Sequence, residues 1–131
     1  MRIVGTVLAG LGVAMVAIAP VSAHHSFAAQ YDPNSPVTLK GVVTKVEWMN
    51  PHARFYINVT DASGKVVNWN LELASPNYLK RAGWSSTSLK EGDEVTVEGS
   101  LARSGANMAN ARLVTFPDGT RVFARSAQDG G

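Results

Sequence analysis

The sequence has 131 residues, of which 45% are hydrophobic and 17% charged, a size and composition that predict one small globular domain and argue against two. The first 23 residues resemble a secretory signal, with Arg2, an apolar run over 7–19 and the small-residue cleavage site Val21-Ser22-Ala23. Removing them leaves 131 − 23 = 108 residues with 12 − 1 = 11 basic and 10 acidic side chains. This near balance argues against nucleic-acid binding driven by phosphate neutralisation.

The apolar run is interrupted by Gly10 and Gly12 and is shorter than the ~20 apolar residues that a membrane-spanning helix needs. The chain has no cysteine, so it has neither a lipid attachment site at the cleavage point nor a disulfide. We therefore predict Sec export with cleavage after Ala23. The expected location is the periplasm, as a soluble protein without stable membrane insertion after cleavage.

The segment 24–36 contains turn formers and two prolines, which predicts an N-terminal arm leading into the domain. Regular structure is expected from Val37, in a first strand rich in β-branched residues. Apolar residues lie on one parity up to Val43 and on the other from Val46, and a bulge near Thr44 would bring both sets onto one face. Asn50-Pro51 then marks a turn.

Two strands with strict alternation follow, over 53–59 and 66–73, and the loop 61–64 between them predicts a hairpin. The apolar residues of the two strands are predicted to point into one barrel interior. These residues are Phe55, Ile57, Val59, Val67, Trp69 and Leu71. We assign Trp48, Trp69, Phe55 and Trp84 mainly to the core.

A short helix is predicted from Ser75-Pro76 to Gly83, since serine caps helices and proline is tolerated at the first helical position. Three more strands are expected over 94–101, 109–116 and 120–124, followed by a tail over 127–131. This order predicts an all-β, OB-fold-like Greek-key barrel of five or six strands with one short helix, occupying 37–126. The alternative is an open β-sandwich.

The three histidines are His24, His25 and His52. After cleavage His24 would be the first residue, and its α-amine and ring nitrogen could close a chelate ring on one metal. Nitrogen ligands favour copper(II), so we predict a copper site formed by the His24 amine and ring with His52, with His25 as a further ligand. Zinc is the alternative ion. A solvated histidine pair and a turn-bonding His52 remain the alternative to any metal site.

A second candidate site is the polar face of the second and third strands, where OB-folds hold extended ligands. Its residues are Arg54, Tyr56, Asn58, Asn68, Asn70 and Glu72. Such a face would bind a small ligand or a periplasmic protein without a metal, or would simply be solvated. Nucleophile motifs and phosphate-binding glycine loops are absent from the sequence, so we do not predict an enzyme.

Several segments of the sequence resemble a family of small exported bacterial proteins of unknown function. They include HHSFAAQYDP at 24–33, the stretch 37–59 with the Asn-Pro-His element at 50–52, and the runs 66–84 and 89–119. The resemblance covers essentially the whole chain after Ala23. It implies a periplasmic single-domain protein and supplies no established activity.

Overall fold

The structure is a computed structural model that describes residues 27–124. Its elements, in chain order, are α1 (Phe27–Gln30), β1 (Tyr31–Glu47), β2 (Arg54–Thr60), β3 (Val66–Glu72), α2 (Pro76–Arg81), β4 (Glu94–Ala102), β5 (Met108–Thr115) and β6 (Arg121–Phe123). The predicted signal segment, His24, His25 and the tail 127–131 lie outside the described residues. Within the described part of the chain, no helix has the length and apolar character needed to cross a membrane.

The strands form one sheet in the order β3-β2-β1-β4-β5-β6, and β3 also pairs with β5. This last pairing is parallel and short, joining 70–72 of β3 to 108–110 of β5, and it closes the sheet into a barrel. Closure distinguishes the barrel from an open sandwich, and α2 lies in the chain between β3 and β4. The predicted OB-fold-like class is therefore confirmed, with β6 added at the free edge of β5.

The long strand β1 contains the bulge that its apolar pattern predicted. Val43 pairs with Ile57 and Val46 pairs with Phe55, with a register shift between Val43 and Lys45. Val43 is buried and Val46 packs against the core from a half-buried position. The extra residue thus turns both parities of β1 toward the interior, and it lets one strand pair with β2 along one half and with β4 along the other.

The N-terminal arm is more ordered than the sequence indicated. We expected regular structure only from Val37, but α1 precedes β1, and β1 begins at Tyr31, which pairs with Ala102 of β4. The pairing is irregular until Pro36 resumes the register with β4. Pro33 and Pro36 have no amide hydrogen to donate to a strand pairing. Their presence explains why the sequence predicted an arm without regular structure, and why the pairing of β1 with β4 is irregular here. The arm is an extension of the barrel strand.

The helix α2 begins and ends as the sequence predicted. Ser75 caps it by accepting a hydrogen bond from the Tyr78 amide at 3.3 Å. Gly83 has φ of 102°, a left-handed conformation that glycine adopts at little cost in free energy and that ends the helix. The chain then folds back, because the Trp84 amide donates to the Leu79 carbonyl at 2.8 Å and its indole donates to the Phe123 carbonyl at 2.9 Å.

The barrel interior is only partly as predicted. Phe55, Ile57 and Leu71 are fully buried, but Val59, Val67 and Trp69 are half-buried at the rim of the core. Of the predicted core aromatics, Phe55 and Trp84 are buried, whereas Trp48 and Trp69 are half-buried. Trp69 is only half-buried because the pairing that closes the barrel is short: β5 pairs with β3 only from Asn70 onward.

Candidate functional site

The six polar residues predicted for the outer face of β2 and β3 lie directly opposite one another in the hairpin. The pairs are Arg54 with Glu72, Tyr56 with Asn70, and Asn58 with Asn68. At the open end of this face, Asn68 donates from Nδ2 to Asn58 Oδ1 at 2.9 Å, and both residues are exposed. At the other end, Glu72 is only 4% exposed. The face therefore changes from a solvated amide pair to a buried carboxylate within one hairpin.

Both oxygens of the Glu72 carboxylate are engaged. Oε1 lies 2.8 Å from His52 Nδ1, and Oε2 accepts from Tyr31 Oη and from Arg54 Nη2, each at 2.8 Å. Arg54 also donates to Asn70 Oδ1 at 3.3 Å. We call Glu72, Tyr31, His52 and Arg54 the Glu72 cluster. Burial of a carboxylate is tolerated here because charged and polar donors satisfy it.

The sequence analysis treated His52 and the polar face as separate candidate sites, and the structure brings them together. His52 precedes Arg54 by two residues, so the strand alternation that places Arg54 on the polar face also places His52 there. The backbone beyond the end of β2 continues the pairing: the Ala53 amide donates to Ala74 O at 3.0 Å, and the Leu73 amide donates to Ala53 O at 2.9 Å. These bonds hold His52 beside Glu72.

The contact with Glu72 determines which nitrogen of His52 is available. An ionised carboxylate only accepts hydrogen bonds, so the short contact indicates that Nδ1 carries the proton. In the neutral ring the lone pair is then on Nε2, and the side chain retains 25% of its exposure. A carboxylate that accepts from one ring nitrogen while the other binds a metal is the usual support of a histidine ligand. With this tautomer, Nε2 is the nitrogen of His52 that is able to coordinate a metal ion.

Tyr31 is the member of the cluster that the sequence analysis did not select as a site residue. It is 2% exposed, and its ring lies 5.6 Å from that of Phe27. Arg103, in the loop between β4 and β5, holds the same segment: its Nε donates to Ala28 O at 2.7 Å and its amide to Gln30 O at 2.9 Å. An aromatic residue in a polar arm was the only sequence signal for this contact.

Asn110 lies opposite Glu72 in the parallel pairing of β3 with β5. It is 4% exposed, and its Nδ2 has no hydrogen-bond partner among the described residues. A buried donor without a partner costs about 1–3 kcal/mol. The surroundings of Glu72 therefore contain one polar group whose hydrogen bonding the described residues do not complete.

The described residues include only part of the predicted metal-ligand set. Within 27–124, no three histidine, cysteine, aspartate or glutamate side chains come close enough to hold a metal ion. His24 and His25 lie outside these residues. Of the predicted ligands, the structure therefore describes His52 alone.

The Tyr31 hydroxyl gives a prediction for alkaline pH. Burial, then the hydrogen bond to Glu72, raises the pKa of Tyr31 well above the ordinary value of 10.0. A pKa that is higher in the folded state contributes stability that is complete below pH 10 and is lost as the pH rises above it. We expect the free energy of unfolding to fall more steeply above pH 10 in the wild type than in Tyr31→Phe.

Ultraviolet titration of tyrosine ionisation is the accompanying measurement. Tyr31→Phe should remove the component that titrates last, whereas Tyr78→Phe, which changes a half-buried tyrosine of α2, should retain it. A titration curve with the same late component in Tyr31→Phe would contradict the burial of this hydroxyl.

Comparison with known proteins supports the fold and the family. No curated protein sequence matches the chain. A solved structure with a similar fold is Rim1, a mitochondrial single-stranded DNA binding protein from S. cerevisiae, with a TM-score of 0.50 and 12% sequence identity over 63% of this chain and 93% of that chain. At this identity the likeness concerns the fold alone. The model of the family of unknown function DUF6152 matches residues 12–111, so the chain belongs to that family.

Proposed function

We propose that the protein is an exported periplasmic binding module, not an enzyme, and that it binds copper(II) through its N-terminal histidines and His52. The observation that carries the proposal is the hydrogen bond between His52 Nδ1 and Glu72 Oε1, at 2.8 Å, which orients the ring and leaves Nε2 for a metal. The remaining ligands are the α-amine and ring of His24, with His25 as a further ligand. Imidazole and amine nitrogens favour copper(II), and zinc is the alternative ion.

The position of the arm supports this ligand set. Tyr31 and His52 share the carboxylate of Glu72, and Phe27 contacts Tyr31. His24 precedes Phe27 by three residues, which span at most about 11 Å when extended. Only residues 25 and 26 separate His24 from Phe27, the residue that contacts Tyr31.

The charges of the polar face support the expectation that the protein does not bind nucleic acid. Arg54 is paired with Glu72, and Lys45 lies within 2.6 Å of Glu47 and over the ring of Tyr56. Binding through counterion release grows with the number of phosphates that cations neutralise, and on this face Arg54 and Lys45 each already lie beside a carboxylate. The similarity to a DNA binding protein in fold is compatible with a different ligand on this face.

The test is a copper titration of the mature protein, beginning at His24, with paramagnetic resonance to count nitrogen ligands. We compare it with a form whose N-terminal α-amine is acetylated, and with His52→Ala. Acetylation removes the chelate ring of the terminal histidine, whereas His52→Ala removes one ligand. We therefore expect weaker binding in both variants, with the larger loss in the acetylated form.

Intact-mass analysis of the periplasmic protein is the necessary companion, because the ligand set needs cleavage after Ala23. A protein that retains Met1 or is cut elsewhere would remove the amine from the site. Equal copper affinity in all three forms would overturn the metal proposal.

In that case the second candidate is a metal-free module that binds a small ligand or a protein through the polar face. The observation in its favour is the exposed amide pair of Asn58 and Asn68, whose contact extends to Thr44 Oγ1 at 3.2 Å. Asn68→Ala would then weaken ligand or partner binding, and would leave copper binding unchanged.

A further inference from the structure

We propose that the open edge of β3 pairs antiparallel with the same edge of a second copy of the chain, which makes the protein a weak homodimer. We call residues 66–69 the β3 edge; they are Val66, Val67, Asn68 and Trp69. The strand β2 pairs with all of β3, whereas β5 pairs only with 70–72. Within the part of the chain that the structure describes, no strand therefore pairs with the β3 edge on the side away from β2.

The backbone of the β3 edge presents both donors and acceptors on its open side. In an antiparallel pair, the amide and the carbonyl of one residue point to the same side, and this direction alternates along the strand. The Asn70 amide donates to Asn107 O at 3.0 Å, away from β2. Val66 and Asn68 share the parity of Asn70, and Val66 is 56% exposed. Their two amides and two carbonyls therefore point away from β2, where a further strand would add.

One register of a second copy satisfies all four groups. If Val67 lies opposite Val67 of the second copy, Val66 lies opposite Asn68 of that copy, and these two residues exchange both backbone hydrogen bonds. Two-fold symmetry repeats the exchange at the other end of the edge, so the pairing is self-complementary. The β3 edge thus contains the complete hydrogen-bonding pattern that its own copy needs.

The side chains also match in this register. It places Trp69 opposite Lys65 of the second copy, in a pair without backbone hydrogen bonds, where side chains approach most closely. Trp69 is half-buried, so part of its ring is open, and Lys65 is exposed. An ammonium group is attracted to the face of an indole ring. Because symmetry gives two such contacts, a second copy fits the β3 edge better than an arbitrary strand does.

The edge of β6 shows how the same barrel protects an edge strand. The strand β6 has 3 residues, and the Phe123 carbonyl accepts from the Trp84 indole at 2.9 Å. Short strands and covered edges prevent pairing between molecules, as do charges, prolines and bulges. The β3 edge contains neither a charged residue nor a proline, and its register with β2 is regular. It therefore lacks these protections and is suited to pairing.

The dimer would join two hairpins into one sheet in the order β2-β3-β3-β2. The polar faces of the two copies would then lie side by side on one surface, because directly paired residues share a face of the sheet. An edge of four residues is a small interface, which predicts weak association. The pairing uses no residue of the proposed copper site, so neither proposal depends on the other.

The first measurement is the mass of the purified protein by analytical ultracentrifugation, from micromolar to millimolar concentration. A chelator is present, so that a bound metal does not link two chains. We expect the mass to rise from that of one chain to that of two. A mass that stays that of one chain up to millimolar concentration would show that the proposal is wrong.

Two variants test the register. Val66→Pro removes an amide hydrogen that points away from β2, so it should leave the hairpin intact. Lys65→Glu removes the attraction to Trp69 of the second copy. The control is Lys90→Glu, the same charge change at an exposed residue before β4. Because symmetry removes each contact twice, we expect about tenfold weaker dimerisation in both test variants and no change in the control.

Hydrogen exchange of individual backbone amides locates the contact. The amides of Val66 and Asn68 should exchange rapidly in dilute protein and become protected as the concentration rises. The amides of Val67 and Trp69 point toward β2 and should be protected at every concentration, which makes them an internal control. Lys65→Glu should shift the protection of Asn68 to higher concentration.

Each remaining outcome decides the proposal. If the mass doubles but Asn68 gains no protection, the dimer uses another surface and the proposal is wrong. If Asn68 is protected equally at all concentrations, the β3 edge is covered within one chain, which also overturns it. Should Val66→Pro prove unfolded by circular dichroism, Lys65→Glu and the exchange of Asn68 decide, and equal dimerisation of Lys65→Glu and Lys90→Glu would contradict the register.

Discussion

Glu72→Gln is expected to lower the free energy of unfolding by about 3 kcal/mol. The wild-type carboxylate is 4% exposed and accepts hydrogen bonds from Tyr31 and Arg54. Removing one partner of a buried ion pair costs about 3–5 kcal/mol, because the other charge is left without compensation. We expect the lower end of this range, since the Arg54 side chain keeps 28% of its exposure and can be partly solvated. Urea unfolding followed by circular dichroism gives the value.

The matched control is Glu98→Gln on the barrel surface. Glu98 pairs with Arg121 at 3.1 Å, but the side chains are 32% and 60% exposed. Exposed ion pairs contribute about 0–1 kcal/mol, so this change should have little effect. Similar losses in the two variants would mean that Glu72 is hydrated in solution, and the proposed orientation of His52 would lose its support.

Phe55→Ala is expected to cost about 3–5 kcal/mol of stability. Phe55 is completely buried and pairs in register with both Val46 and Leu71, at the point where the bulged half of β1 meets the hairpin. Truncating a buried aromatic removes its transfer free energy and leaves a cavity that the closed barrel cannot collapse. Calorimetry or denaturant unfolding would measure the loss.

Trp69→Ala is the informative comparison, because the alternation of β3 places Trp69 on the same interior face. Trp69 is half-buried, so part of its ring is already in water and the cavity left behind is open to solvent. We expect a loss of about 1–2 kcal/mol, within the range of ordinary single substitutions. A loss as large as that of Phe55→Ala would show that the rim near Trp69 is closed.

The strands and their OB-like order could be predicted from the sequence because they depend on patterns among neighbouring residues. The family resemblance could be predicted because it rests on short sequence segments. Alternation defines β2 and β3, and the parity change across Thr44 locates the bulge that the register confirms. Ser75 and Gly83 delimit α2 through capping chemistry that needs no distant residue. The start of β1 could not be predicted in this way, since its prolines indicate a loop unless a neighbouring strand is available.

The candidate site shows the same division between local and long-range information. Alternation alone assigns Arg54, Asn70 and Glu72 to one face, and extending it by one step includes His52. It does not say that Glu72 is buried, or that Tyr31, 41 positions away in the sequence, donates to it. That contact exists because β1 continues past the barrel along β4 and the parallel pairing of β3 with β5 brings the arm over the hairpin. The sequence by itself determined which side chains face outward, and only the tertiary structure decided which of them are covered and joined, because burial depends on the packing of strands that are distant in the chain.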